Sequence, residues 1–247
     1  MKDIANNYQG ICLGLCLLGG NSMYQNLSRL ESEYLKIMQD EEILESIRRN
    51  NIECGCYSCH GIYHTNHVEK MVKKILEEVG ESKENIMLGV ISARFHDIGC
   101  ITGKKNHAYK SSIIAKKYLD KYNFTDKEKQ IILQAILDHS NGENINHCVG
   151  AALLLADKTH FSKERVISEK KFVNYFNANN MLIDKIDVSI NLKNIYIDFI
   201  VDKGYDPFSL SFWPKSVEIP QKVANFFNRQ CIFLINHKVV DFNKFIY

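Results

Sequence analysis

Between residues 68 and 79 the apolar side chains fall at Val68, Met71, Val72, Ile75, Leu76 and Val79, and Gly80 ends the run. Steps of three and four residues put all six on one face of an α-helix and on no single face of a strand. Related patterns follow at Ile113, Ile114, Ala115, Tyr118 and Leu119, then at Ile131, Ile132, Ala135 and Ile136, then at Val149, Ala152, Leu153 and Ala156. Thr125 and Glu128 stand at capping-box spacing ahead of the third of these helices. The segment with Ile86, Leu88, Val90, Ile91 and Phe95 is apolar nearly all round, as a central buried helix is. Leu27, Leu30, Tyr34, Ile37 and Met38, followed by Ile43, Leu44 and Ile47, predict a helical lead-in. Only three prolines occur in 247 residues, so little interrupts helices.

The period changes after about residue 180. Ile186, Val188, Ile190 and Leu192 alternate with polar residues, as do Ile195, Ile197, Phe199 and Val201 after a break at Lys193-Asn194, which predicts a hairpin. Pro220 suits the first position of a helix through Val223, Ala224, Phe226 and Phe227, and Cys231 to Ile235 and Val239 to Phe242 read as two short strands. The fold class expected is therefore mainly α, a helical bundle with a small C-terminal ββαββ (α+β) subdomain. The divisions expected are a lead-in over 1–58, a helical domain over 59–178 and the subdomain over 179–247.

Composition narrows the function. The 31 basic and 29 acidic residues nearly cancel and are interspersed, so no nucleic-acid footprint is expected. The apolar run from Ile11 to Leu18 is too short to span a bilayer and lacks the flanks of an export signal, so the chain reads as cytoplasmic, without a membrane partner. Its eight cysteines are then expected as reduced thiols.

Against that background one set of side chains stands out: His67, the adjacent His96 and Asp97, His107, His139 and Asp157, each on or beside a helix with an inward apolar stripe. Four imidazoles and two carboxylates suit iron, manganese, cobalt or zinc better than calcium or magnesium, and six ligands exceed the needs of one open ion. Two ions bridged by Asp97 is the economical arrangement. Because adjacent side chains diverge on a helix, the His96-Asp97 pair needs a turn, and Gly99 is expected to supply it.

The order His, His-Asp, His, His, Asp resembles the HD-domain superfamily of metal-dependent phosphohydrolases. The matching pieces are His67 with Val68, Met71 and Val72, then Phe95-His96-Asp97-Ile98-Gly99, Asn106-His107-Ala108, Asp138-His139-Ser140 and Ala156-Asp157-Lys158, over roughly residues 60 to 170. The resemblance implies an HD-type bundle holding two divalent transition-metal ions, iron or manganese first, with zinc, cobalt and nickel allowed. It implies hydrolysis of a phosphoester or phosphoanhydride by a metal-activated hydroxide, on a small phosphorylated substrate such as a nucleotide. Asp97 would orient the attacking group, and Lys104, Lys105, Lys158 and Arg165 would neutralise phosphate charge. His64 lies one turn before His67 and competes with it for the first metal; otherwise it is a candidate general acid. Many members carry a lysine where this chain has Cys100. A homodimer is compatible with this reading.

The same ligand set also fits HD-fold di-iron oxygenases, and the appended subdomain fits a non-catalytic metal-containing sensor. Cys54, Cys56, Cys59 and His60 are spaced for a structural zinc as an alternative to free thiols.

Overall fold

A computed structural model describes residues 22–53, 59–165, 182–202 and 215–241. Two N-terminal helices, α1 (Ser22–Gln39) and α2 (Glu41–Glu53), realise the expected lead-in. Their buried Leu30, Ile37, Ile43 and Ile47 lie on one stripe and join the main core. Asp40 between them caps α2: its Oδ1 accepts from the amides of Glu42 at 2.9 Å and Ile43 at 3.2 Å, and its Oδ2 from the Tyr122 hydroxyl at 2.7 Å.

The predicted stripe from Val68 forms α3 (Ile62–Val79), with Val68, Val72, Ile75 and Leu76 fully buried. Next comes α4 (Lys83–Phe95), started by Ser82, whose hydroxyl accepts from the Asn85 amide at 3.1 Å. Residues 88–95 of α4 are all buried, and so are residues 151–157 of α7 (Cys148–Lys158), so these two helices form the centre of the body. Around them stand α3, α5 (His107–Leu119) and α6 (Asp126–Asp138), the last begun by the predicted Thr125/Glu128 capping box. Arg94, 1% exposed among the apolar residues of α4, is paired with Glu69 of α3 through Nε–Oε1 at 2.7 Å and Nη2–Oε2 at 3.0 Å. This pair ties α3 to α4 two residues before His96.

One local expectation is corrected. Gly99 does not lie in the left-handed region; the chain turns at Asp97 (φ −109°, ψ 6°) into a 3-10 helix, Ile98–Thr102. Glycine at 99 is required by space instead. A Cβ there would lie 2.4 Å from the Ser111 nitrogen and 2.8 Å from the His107 oxygen, because the 3-10 helix rests directly on the backbone of α5.

The C-terminal unit is a four-stranded sheet in the order β1-β2-β3-β4. β1 (Ile183–Ile190) and β2 (Asn194–Val201) make the expected antiparallel hairpin, with Ile190 opposite Ile195. Asn191 closes its turn, Oδ1 accepting from the amides of Lys193 at 2.9 Å and Asn194 at 2.8 Å. Helix α8 (Lys215–Phe226) then carries the chain across, so that β3 (Gln230–Ile235) lies parallel to β2 before a short return strand β4 (Lys238–Val239). Pro220 sits inside α8, not at its first position. It is buried against the body, and that packing outweighs the intrahelical bond its nitrogen cannot donate. The last predicted strand is reduced to two residues here, and Phe242 lies outside the described residues.

One continuous apolar core runs from Leu30 to Ile235, so the sheet and the helical body share an interior. Lys74 of α3 donates to the Val188 carbonyl at 2.5 Å, and Glu78 accepts from the Ile190 amide at 2.9 Å, covering the outer edge of β1.

Candidate metal centre

Five helices bring one candidate ligand each to a common point. His64 lies in the first turn of α3, His96 just past the end of α4, His107 at the start of α5, His139 just past the end of α6, and Asp157 in the last turn of α7. Asp97 follows His96 at the turn into the 3-10 helix. Helix termini suit this work, because side chains there escape the packed stripe while their backbone stays fixed.

The donor atoms form two adjoining groups that share Asp97: His64, His96, Asp97 and Asp157 in the first, Asp97, His107 and His139 in the second. Within the first, His64 Nε2 is 3.1 Å from Asp157 Oδ1, 3.4 Å from Asp97 Oδ2 and 3.1 Å from His96 Nε2, which is itself 3.3 Å from Asp97 Oδ2. Within the second, His107 Nε2 and His139 Nε2 are each 3.5 Å from Asp97 Oδ1 and 3.1 Å from one another. The two oxygens of Asp97 thus face different groups.

The tautomers are set by backbone. Nδ1–H of His96 donates to the Ala93 carbonyl at 2.7 Å, that of His139 to Ile136 at 2.6 Å, and that of His107 to Lys104 at 3.1 Å. Each ring therefore aims an Nε2 lone pair inward, the arrangement in which imidazole binds a cation. Lone pairs of His107 and His139 meeting at 3.1 Å repel unless a positive charge lies between them. Two ligand atoms about 2.1 Å from one ion and at right angles lie about 3.0 Å apart, so the observed spacings fit bound cations. The residues present fit the metal ions that the ligand pattern implies.

Electrostatics point the same way. Burial would push the Asp97 carboxyl up, but the imidazoles around it, His96 first and then His139 and His64, hold it well below the usual range. Burial likewise opposes ionisation of Asp157, and Lys158, His64 and Arg165 more than offset it. Burial lowers His107 to about 4, so it stays neutral near pH 7. The two carboxylates keep their negative charge inside a ring of imidazoles, a complement to a cation.

His67, the expected first ligand, belongs to neither group; His64 takes that place. The two are three residues apart on α3 and diverge by about 60° at 100° per residue. His67 instead stacks on His160, ring centroids 3.6 Å apart and 8° from parallel. His64, also a candidate general acid, is one of the four donors of the first group. His160, which the sequence reading missed, lies 2.8 Å from His64, Nδ1 to Nδ1, and is the partner that orients it. The available signal was its position three residues after Asp157, whose carbonyl accepts the His160 amide at 3.2 Å.

Among the expected cations, Lys158 pairs with Asp157 (Nζ–Oδ2 2.6 Å). Arg165 is fixed by the carbonyls of Cys59 at 3.0 Å and His160 at 2.8 Å, leaving Nη2 3.1 Å from His64 Nε2 and 3.9 Å from Asp157 Oδ1. Lys104 and Lys105 are exposed on the loop before α5, with no ion pair to either group among the described residues. Cys54 and Cys56 lie outside the described residues, and His60 is grouped with Asp97 and Cys100, not with Cys59. A cavity of about 150 Å³ between α6 and α7, lined by Gln130, Gln134, Asn144, Asn146 and His147, includes none of the residues of the two groups in its lining.

The model of the HD domain family matches residues 61–188, more than half of the chain. This chain belongs to the HD domain family. The match includes all six residues of the two groups, and it extends past the helical body into β1. No curated protein matches this HD protein closely enough to be counted a relative. HD domains are of the metal-dependent phosphohydrolase type, and the buried His/Asp groups are compatible with divalent metal. No described helix is long and apolar enough to cross a membrane.

Proposed function

We propose that this HD protein is a metal-dependent phosphohydrolase acting on a small phosphorylated molecule, with nucleotides the first class to test. The observation that carries this is the pair of candidate ligand groups sharing the buried Asp97, formed with His64, His96 and Asp157 on one side and with His107 and His139 on the other. Divalent ions bound there would supply a water of lowered pKa and positive charge opposite phosphoryl oxygens. The chain's own residues do the rest. Asp97 presents one oxygen to each group and so sets the line along which a phosphorus centre is approached. Arg165 meets the substrate with a guanidinium already fixed by two carbonyls, so little side-chain entropy remains to be lost when it binds a phosphate oxygen. Lys158 neutralises Asp157 and adds a second positive charge at the same rim. The enclosing α4 and α7 walls exclude bulk water and strengthen each of these interactions.

The test is metal analysis of anaerobically purified protein combined with a phosphate-release screen over nucleotides, dinucleoside polyphosphates, cyclic dinucleotides and simple monoesters. Two equivalents of metal, lost on His96→Ala, with phosphate released from one class, is the expected result. Metal content unchanged by His96→Ala refutes the assignment of the centre. Substrate-dependent oxygen uptake without phosphate release replaces hydrolysis by an oxygenase reaction.

A further inference from the structure

We infer that the centre has a third cation position, built from His60, Asp97 and Cys100, with a thiolate ligand and a preference for a borderline ion such as zinc. The inference rests on the metal-centre reading above, and its test separates the two.

The donor atoms of these three residues lie within 4.8 Å of one another, and all three are buried: His60 3% exposed, Asp97 3% and Cys100 0%. Local geometry brings Cys100 there. In a 3-10 helix, side chains at i and i+3 eclipse, and the Cys100 amide donates to the Asp97 carbonyl at 2.8 Å to close that turn. Sγ consequently stands over the carboxylate, 3.6 Å from Oδ1, as a long thiol hydrogen bond. His60 brings a ring nitrogen within 4.8 Å of both donors, and a dedicated scaffold holds it. Asn50 is fully buried, and its Nδ2 donates to the carbonyls of both Asp97 at 2.8 Å and His60 at 3.3 Å, tying the two segments together. Asn51 Oδ1 accepts from the His60 amide at 3.0 Å and the Gly61 amide at 2.8 Å. Two consecutive asparagines at the end of α2 therefore fix a histidine beside a carboxylate 37 residues further along the chain.

The donor set differs in kind from the other two groups, which offer nitrogen and oxygen alone. Sulfur with imidazole and carboxylate selects zinc or cobalt(II) over manganese or magnesium. Asp97 can serve three positions because an ionised carboxylate has about four acceptor directions. Binding replaces the S–H bond by a sulfur–metal bond, and the thiol proton leaves to solvent.

Cobalt(II) titration of the metal-free protein, followed by absorption, is the test, because thiolate ligation gives a sulfur-to-cobalt charge-transfer band that nitrogen and oxygen ligands do not. Wild-type protein is expected to take three equivalents and show the band. Cys100→Ala and Cys100→Ser should each take two and lose it, and His60→Ala should lose the third equivalent with the thiol still present. Circular dichroism of each variant reports folding independently. Two equivalents without a band in wild-type protein overturn the third position and leave the two-group centre standing. A third equivalent that survives both Cys100 substitutions also overturns it, and failure to bind any cobalt overturns the metal-centre reading itself.

Discussion

Replacing Gly99 by alanine adds one methyl group where the structure has no room, and the strain falls on the seam between the two ligand groups. The new Cβ would meet backbone on three sides, at 2.4 Å from the Ser111 nitrogen and 2.8 Å from both the His107 oxygen and the Lys110 carbonyl carbon. Ordinary contact begins near 3.4 Å, so the 3-10 helix and α5 must part by about 1 Å, and no flexible side chain can absorb it. The same parting breaks the Gly99 amide's bond to Ser111 Oγ, now 2.9 Å, and lengthens the 3.5 Å approach of His107 to Asp97. His64, His96 and Asp157 do not cross that seam. Overpacking costs about 1–3 kcal/mol, and roughly 2–4 °C of melting temperature is lost per kcal/mol in a chain of this size. Affinity at the His107/His139 group should fall about 10–100-fold while the His64/His96/Asp157 group keeps its ion. Calorimetry of the metal-free protein gives the first number, and metal titration the second. Gly103→Ala is the control: its φ of 92° is strained for alanine, but nothing lies within 4 Å, so stability should fall without opening the seam. A Gly99→Ala protein that melts with the wild type and holds both ions as tightly would refute the packing argument.

Other perturbations have separate expected outcomes. His139→Ala should lose the second ion, retain the first and lower phosphate release by at least about 10–100-fold, measured by metal analysis and turnover on one preparation. Removing the acceptor for His64 with His160→Ala should weaken first-group metal about tenfold, whereas His67→Ala, which removes only the stacked ring, should leave that affinity unchanged. Arg165→Lys keeps the charge but loses the fork held by Cys59 and His160, so KM for an anionic substrate should rise more than kcat falls. Asp40→Ala should cost about 1–2 kcal/mol as a lost helix cap, read by denaturant melting. Burial raises the Asp40 carboxyl, but hydrogen bonds from Tyr122, Ile43 and Glu42 bring it below 3.8. Its stabilising effect is therefore complete above that pH and lost as the pH falls below it, and the difference between wild type and Asp40→Ala should shrink in acid.

The helices were legible because burial repeats with the helical period: the stripe from Val68 to Val79 specifies α3, and Thr125 with Glu128 specifies the start of α6. The hairpin was legible from its alternation. What escaped were features set by contact instead of period. His64 and His67 lie one turn apart at the start of α3, and only the position of Asp157 on a distant helix chooses between them. Cys100 meets Asp97 because the turn is 3-10, a distinction of one residue in hydrogen-bond spacing that no periodicity reports. Pro220 looks like a helix start by its chemistry and sits inside one because the body covers it. Asn50 and His160 act on backbone and ring nitrogens far away in sequence, where ordinary polar residues give no local signal.

The parallel pairing of β2 with β3 has a consequence for how the chain is made. A hairpin can close as soon as both strands leave the ribosome, but β2 meets its second neighbour only after α8 and residues 230–235 have been synthesised. Until then the edge of β2 carries unpaired amides beside Ile195, Ile197 and Phe199, the composition that recruits strands from other chains. A premature stop between Val201 and Gln230 should therefore leave an aggregating product, even though every ligand of the two groups sharing Asp97 has already been translated.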